Sequence, residues 1–114
     1  MKKLTKEDRK ILSKFLKEVW HDYSIIDDQL SVCSCGMSGY MVRDLCSNYN
    51  RDFDTPDDMF AIKDKLVRKK IFDKFYIFSI KYWGKDPRSS EYYEWIINPK
   101  TFNKIAAEFI RETN

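Results

Sequence analysis

One histidine and three cysteines are the residues of this chain best suited to chemistry. His21, Cys33, Cys35 and Cys46 offer one imidazole and three thiolates, a donor set suited to a tetrahedral zinc ion. Eleven residues separate His21 from Cys33, one separates Cys33 from Cys35, and ten separate Cys35 from Cys46. On an extended strand Cys33 and Cys35 project from one face, about 6.5–7 Å apart. The spacing departs from the C-x2-C and C-x4-C patterns of common zinc fingers. It leaves open a second reading, in which the cysteines are small buried hydrophobes and His21 is a helix-end cation.

Other chemistry is poorly supplied. A nucleophilic thiol needs a base beside it, and no motif brings the single histidine to a cysteine. Asp22, Asp27, Asp28, Asp44, Asp52, Asp54, Asp57 and Asp58 are plentiful carboxylates. Asp57 and Asp58, however, belong to a helix start, and Asp52-Phe53-Asp54 lacks the glycine and distal glutamate of a calcium loop. None of the three glycines forms a phosphate-cradling pattern, which argues against P-loop and dinucleotide-binding enzymes. The expectation is a protein that binds and does not catalyse.

The elements that must position these residues are legible in part. Thr5 and Asp8 form a capping-box pattern, and Ile11, Leu12, Phe15, Leu16, Val19, Trp20 and Tyr23 recur at helical spacing. A first helix is expected over Thr5–His21. Gln29–Cys35 has extended character, Gly36-Met37-Ser38-Gly39 reads as a turn, and Tyr40-Met41-Val42 as a short returning strand. Cys46–Asp54 is polar and reads as loop. Thr55-Pro56-Asp57-Asp58 carries a cap, a first-turn proline and two acids, so a second helix starts there. Phe75–Trp83, rich in β-branched and aromatic residues, reads as a strand returning through Glu91–Ile97. Ile71, Phe72, Phe75 and Phe78 also fit helical spacing, which would extend the second helix. Asn98-Pro99 opens a last helix with Phe102, Ile105, Ala106, Phe109 and Ile110 on one stripe. The expected fold is a single α+β domain over residues 1–114, a small antiparallel sheet layered between helices in the order α-β-(β)-α-β-β-α.

Several landmarks follow one another in order: Trp20 late in the first helix, Cys33-Ser34-Cys35-Gly36, Asp52-Phe53, and the Thr55-Pro56 helix start. Tyr93-Glu94-Trp95 and a terminal helix holding Phe102, Ala106 and Phe109 complete the set. In this order the chain resembles, over roughly residues 15–112, small uncharacterised phage and prophage proteins grouped as the phage ABA sandwich family. The resemblance implies a sheet layered between helices and implies no reaction. It also implies a bacterial host.

Charge is distributed unevenly. The net charge is +3, yet residues 1–20 carry +4, residues 21–60 carry −6, residues 61–88 carry +6 and residues 89–114 carry −1. Lysines of the first helix and Arg68–Lys70 could meet phosphates directly, and aromatic residues near Lys81 could stack on bases. The acidic stretch instead suits a basic surface. No unbroken apolar run exceeds four residues, far short of the roughly 20 of a membrane span. The N-terminus is basic but does not lead into an apolar run, and three cysteines fit a disulfide framework poorly; both point to a cytoplasmic protein with reduced thiols.

Two functions are therefore expected. The first is a phage or mobile-element accessory protein that docks on a host protein or protein–nucleic-acid complex and inhibits it, as inhibitors of bacterial defence systems do. Its partner-facing residues would be Asp52, Asp54, Asp57 and Asp58, or the aromatic residues Tyr82 and Trp83. The second is a zinc-stabilised nucleic-acid-binding protein using Cys33, Cys35, Cys46 and His21.

Overall fold

The computed structural model describes residues 3–27, 30–40, 46, 49–84 and 98–113. The fold is mixed α+β, with four helices and a three-stranded antiparallel sheet among the described residues. No helix among these residues is long and apolar enough to cross a membrane.

Helix α1 spans Lys6–Phe15. Its start follows the capping-box expectation: the Asp8 N–H donates to Thr5 Oγ1 at 3.1 Å and the Thr5 N–H donates to Asp8 Oδ2 at 2.8 Å. Its end falls well before His21. Lys17 adopts a left-handed φ of 60°, and the Lys17 and Glu18 N–H groups donate to Lys14 O and Ser13 O. That is a Schellman closure, in which a left-handed residue satisfies the last carbonyls. Glu18 is then held by Arg51, which donates to both carboxylate oxygens at 2.8 and 2.9 Å.

Freed from the helix, the chain turns into strand β1, Tyr23–Asp27, which pairs antiparallel with β2, Leu30–Cys33. The register is Tyr23↔Cys33, Ser24↔Val32 and Ile25↔Ser31, with a bulge between Ile25 and Asp27. Strand β3, Ser38–Gly39, completes the sheet in the order β1-β2-β3. The expected Gln29–Cys35 strand is thus shorter, and half of the expected turn at 36–39 is itself paired. Met41 and Val42, expected in the returning strand, lie outside the described residues.

Helix α2, Pro56–Arg68, starts where the sequence places it, with the Asp58 N–H donating to the Thr55 hydroxyl. It buries Met59, Ile62 and Leu66. A second Schellman closure ends it: Lys70 has φ 59°, and the Lys70 and Ile71 N–H groups donate to Val67 O and Leu66 O.

The expected strand at Phe75–Trp83 is instead helix α3, Phe72–Trp83. The strand reading sets Tyr76, Phe78, Ile80 and Tyr82 on one face and Phe75, Ile77, Ser79, Lys81 and Trp83 on the other, with apolar residues to be covered on both. In the helix Phe75 and Ser79 are buried, one turn apart, while Tyr76, Ile77 and Tyr82 face solvent. The competing helical spacing of Ile71, Phe72, Phe75 and Phe78 is the pattern that packs against the core. It forms a separate helix because Lys70 breaks the chain direction. Gly84, left-handed at φ 69°, closes α3. The return strand expected at Glu91–Ile97 lies outside the described residues.

Helix α4, Pro99–Thr113, is capped by the Asn98 side chain, which accepts from the Lys100 and Thr101 N–H groups. It is the axis of the helical core, with α1, α2 and α3 all packed against it. Phe75 meets Phe102 and Phe109 edge-on, with ring centroids 5.1 and 5.6 Å apart. Beside these rings Asp8 is completely buried, 2.6 Å from Lys104 Nζ and 2.6 Å from Arg111 Nη1. Glu108 flanks both cations at 3.2 and 2.8 Å.

The loop before α2 ties the core to the sheet. Phe53 is fully buried with a left-handed φ of 60°, an unusual conformation for a bulky residue. Its carbonyl accepts from Asn103 Nδ2 at 2.9 Å, and the neighbouring Asp52 carbonyl accepts from Arg9 Nε at 3.0 Å. A separate buried pair joins Cys33, at the end of β2, to Cys46.

Candidate metal centre

The four candidate ligands converge at the sheet end of the molecule. His21 immediately precedes the β1 hairpin, and Asn50 clamps its backbone from both sides. The His21 N–H donates to Asn50 Oδ1, and Asn50 Nδ2 donates to His21 O, each at 2.8 Å. The Tyr49 ring lies 5.7 Å from the imidazole, tilted by 46°. Cys33 ends β2, where a tight turn begins. The Gly36 N–H donates to Cys33 O at 2.9 Å and the Cys33 N–H donates to Met37 O at 2.8 Å. Gly36 sits at φ 98°, a region open to glycine at little cost.

Ser34 fixes this turn to the segment carrying His21. Its N–H donates to Asp22 O at 2.8 Å, its hydroxyl donates to Trp20 O at 2.7 Å and accepts from the Asp22 N–H at 3.1 Å. Cys35, exposed in the turn, and Cys46, buried, close the set.

The donor atoms of His21, Cys33, Cys35 and Cys46 all lie within 4.8 Å of one another. Cys33 Sγ is 3.4 Å from His21 Nδ1, and Cys35 Sγ is 3.8 Å from Cys46 Sγ. A tetrahedral zinc ion, with Zn–S of about 2.3 Å and Zn–N of about 2.0–2.1 Å, sets S···S edges of about 3.8 Å and S···N edges of about 3.5 Å. These two pairs therefore already have the spacing of ligands on one ion. The expected arrangement, with Cys33 and Cys35 projecting from an extended strand, is replaced by a turn that folds the two thiols toward each other.

The environment favours one thiolate first. Burial pushes the Cys33 thiol up, but the Cys35 backbone N–H and hydrogen bonds from His21, Cys35 and Cys46 outweigh it and bring the group down to about 6. Burial pushes Cys46 up to about 11, reinforced by its hydrogen bonds and charge interactions with Cys33 and Cys35. Like charges confined in one site oppose one another, and a divalent cation is the species that relieves such crowding. With four protein donors no coordination position is left for substrate, which is the pattern of a structural site.

The other expected site residues are not gathered into one place. Asp58 is buried, 3.2 Å from Arg51 Nη1 and 2.9 Å from the Thr55 hydroxyl that donates to it. It is part of the α2 start and is not a partner-facing acid. Asp52, Asp54 and Asp57 are exposed. Tyr82 is half-exposed on α3, stacked on Phe78 at 5.7 Å. The Trp83 side chain lies outside the described residues.

Asn50 and Ser34 are the positioning residues that sequence reasoning missed. Both sit in polar stretches where their types signal only turns. No protein-family model matches the chain, and neither curated proteins nor solved structures provide a match.

Proposed function

We propose that this protein is a non-enzymatic, zinc-stabilised nucleic-acid-binding protein. The observation that carries the reading is the convergence of one imidazole nitrogen and three thiol sulfurs within 4.8 Å of one another, with one S···N pair at 3.4 Å and one S···S pair at 3.8 Å. A zinc ion there would cross-link the segment before β1, the β2–β3 turn and the segment holding Cys46. A three-stranded sheet this short buries little apolar surface of its own and gains most from such a cross-link. The net charge and the concentration of lysines in residues 1–20 and 61–88 support a polyanionic partner.

The test is nucleic-acid binding by fluorescence anisotropy, before and after chelation, across a salt series. Zinc-loaded protein should bind with an affinity that falls steeply with salt, and chelation should weaken it. Absence of salt-sensitive binding by zinc-loaded protein would overturn the reading.

The exposed acids Asp52, Asp54 and Asp57 favour a second reading, in which the protein docks on a basic surface of a host protein or protein–nucleic-acid complex and inhibits it. Charge reversal of these three acids would then abolish capture of the host partner and leave nucleic-acid binding intact.

A further inference from the structure

The ends of α1 and α2 meet. Lys69 Nζ lies 5.0 Å from the Phe15 ring centroid, so the side chain of the residue that caps α2 reaches the last residue of α1. Between them runs an open groove with Ile11, Phe15, Ile71 and Ile110 on its floor and Lys14 and Lys69 on its rims. Each helix closes on a left-handed lysine, Lys17 and Lys70, at the position where glycine is the usual occupant. Both remain exposed, as do Lys14 and Lys69. These four cations form no ion pair among the described residues, in contrast to Lys6 and Lys10, which share Asp22.

A second groove continues the first. Lys14 and Lys17 line it together with Trp20 and Ser34, the latter inside the turn that carries Cys33 and Cys35. Asp22 and Glu18 also line it, Asp22 already paired with Lys6 and Lys10 and Glu18 with Arg51. Trp20 keeps an indole N–H without an acceptor among the described residues. Lys14 lines both grooves, so they adjoin at that residue and together form a trough between the cysteine turn and the end of α2.

We infer that this trough binds single-stranded nucleic acid, with phosphates on Lys14, Lys17 and Lys69, which line it, and on the exposed Lys70 next to Lys69 in the chain, and with bases against the apolar floor. The inference rests on the nucleic-acid reading above and gives it a surface. Cationic rims along an apolar and aromatic floor are the general design of single-strand grooves. A duplex presents phosphates and groove edges outward and would leave the floor uncovered; an acidic peptide would use the rims but has no bases to lay on the floor.

The probe is a labelled oligothymidylate of about 20 nucleotides, long enough to cover one such groove. Zinc-loaded protein is titrated with it, with a duplex of the same length, and with polyglutamate as competitor. Four phosphate contacts on a single strand give a slope of log affinity against log salt of about −3, or roughly a 50-fold loss between 50 and 200 mM. Lys17→Gly/Lys70→Gly removes two charges at positions where glycine is conformationally easier, so the fold is preserved. Its slope should be shallower by about 1.4. Lys14→Glu/Lys69→Glu should weaken binding at least tenfold with zinc content unchanged.

If oligothymidylate binds but both variants bind it as tightly as the parent, the trough is the wrong surface and the nucleic-acid reading survives. Tighter binding of the duplex, or equal competition by polyglutamate, also overturns the trough assignment. If zinc-loaded parent protein binds neither nucleic acid, the nucleic-acid reading itself fails.

Discussion

Replacing Asp8 by asparagine tests whether one buried carboxylate pins α1 to α4. Asp8 has no solvent exposure, and Lys104, at 2.6 Å, is only 5% exposed. The asparagine amide oxygen could still accept from the Thr5 N–H, so the cap is retained, while the amide NH2 replaces the oxygen that faces Arg111 Nη1 at 2.6 Å, so an acceptor is lost together with the charge. The variant would leave a buried ammonium with Glu108, 3.2 Å away, as its remaining acid. Breaking a buried pair costs about 3–5 kcal/mol. The lower end applies, because Glu108 stays and because Arg111, about a third exposed, is partly screened by water.

A loss of about 3 kcal/mol from a total of about 5–15 is large, and should lower Tm by about 10 °C. The pH dependence follows from the same contacts. Burial pushes the Asp8 carboxyl up, but the Lys104 hydrogen bond, the Thr5 N–H and the charges of Lys104 and Arg111 outweigh it, so its pKa lies below the ordinary 3.8. A carboxyl depressed in the folded state contributes its full stability above the unfolded value and loses it as pH falls through the folded value. Urea unfolding in the presence of a chelator, which keeps both proteins metal-free at every pH, should therefore show a constant gap between wild type and Asp8→Asn near neutral pH, narrowing below pH 3.8. A gap under about 1 kcal/mol at neutral pH, the scale of an exposed pair, would refute the reasoning.

Three further outcomes are expected. Asn50→Ala, which removes both hydrogen bonds holding the His21 backbone, should weaken zinc affinity by about 10–100-fold in a chelator competition, with α-helical circular dichroism unchanged. Lys17→Gly and Lys70→Gly should each raise the urea midpoint by the equivalent of about 0.5–1 kcal/mol, since both relieve a left-handed non-glycine residue. Cys46→Ser should abolish stoichiometric zinc, and hydrogen exchange of the β1–β2 amides should accelerate while that of α4 stays slow, because the helical core is separately packed.

What could be read from the sequence divides along a physical line. The starts of α1, α2 and α4 were legible because Thr5, Thr55 and Asn98 act within one turn of themselves, and capping is local chemistry. The end of α1 was not, because it depends on Lys17 taking a conformation that nothing in its side chain announces. Strand β1 escaped notice since Ile25 and Ile26 are both largely exposed, so no alternation marks it. For α3, a run of aromatic and β-branched residues outweighed helical spacing in the reading, and tertiary packing of Phe75 and Phe78 on Phe109 decided otherwise. At the candidate site the residue types were legible but their geometry was not. Cys33 and Cys35 meet through a turn closed by Gly36 and Met37, and His21 is placed by Asn50 from a distant loop.

Zinc content of protein purified without chelator, measured by elemental analysis beside a thiol count, tests the central claim most directly. The zinc proposal predicts one zinc per chain, three thiols that react with reagent only after chelation, and a tetrahedral thiolate spectrum on substitution with cobalt(II). Metal-free protein with three freely reactive thiols and an unchanged Tm after added zinc would contradict it.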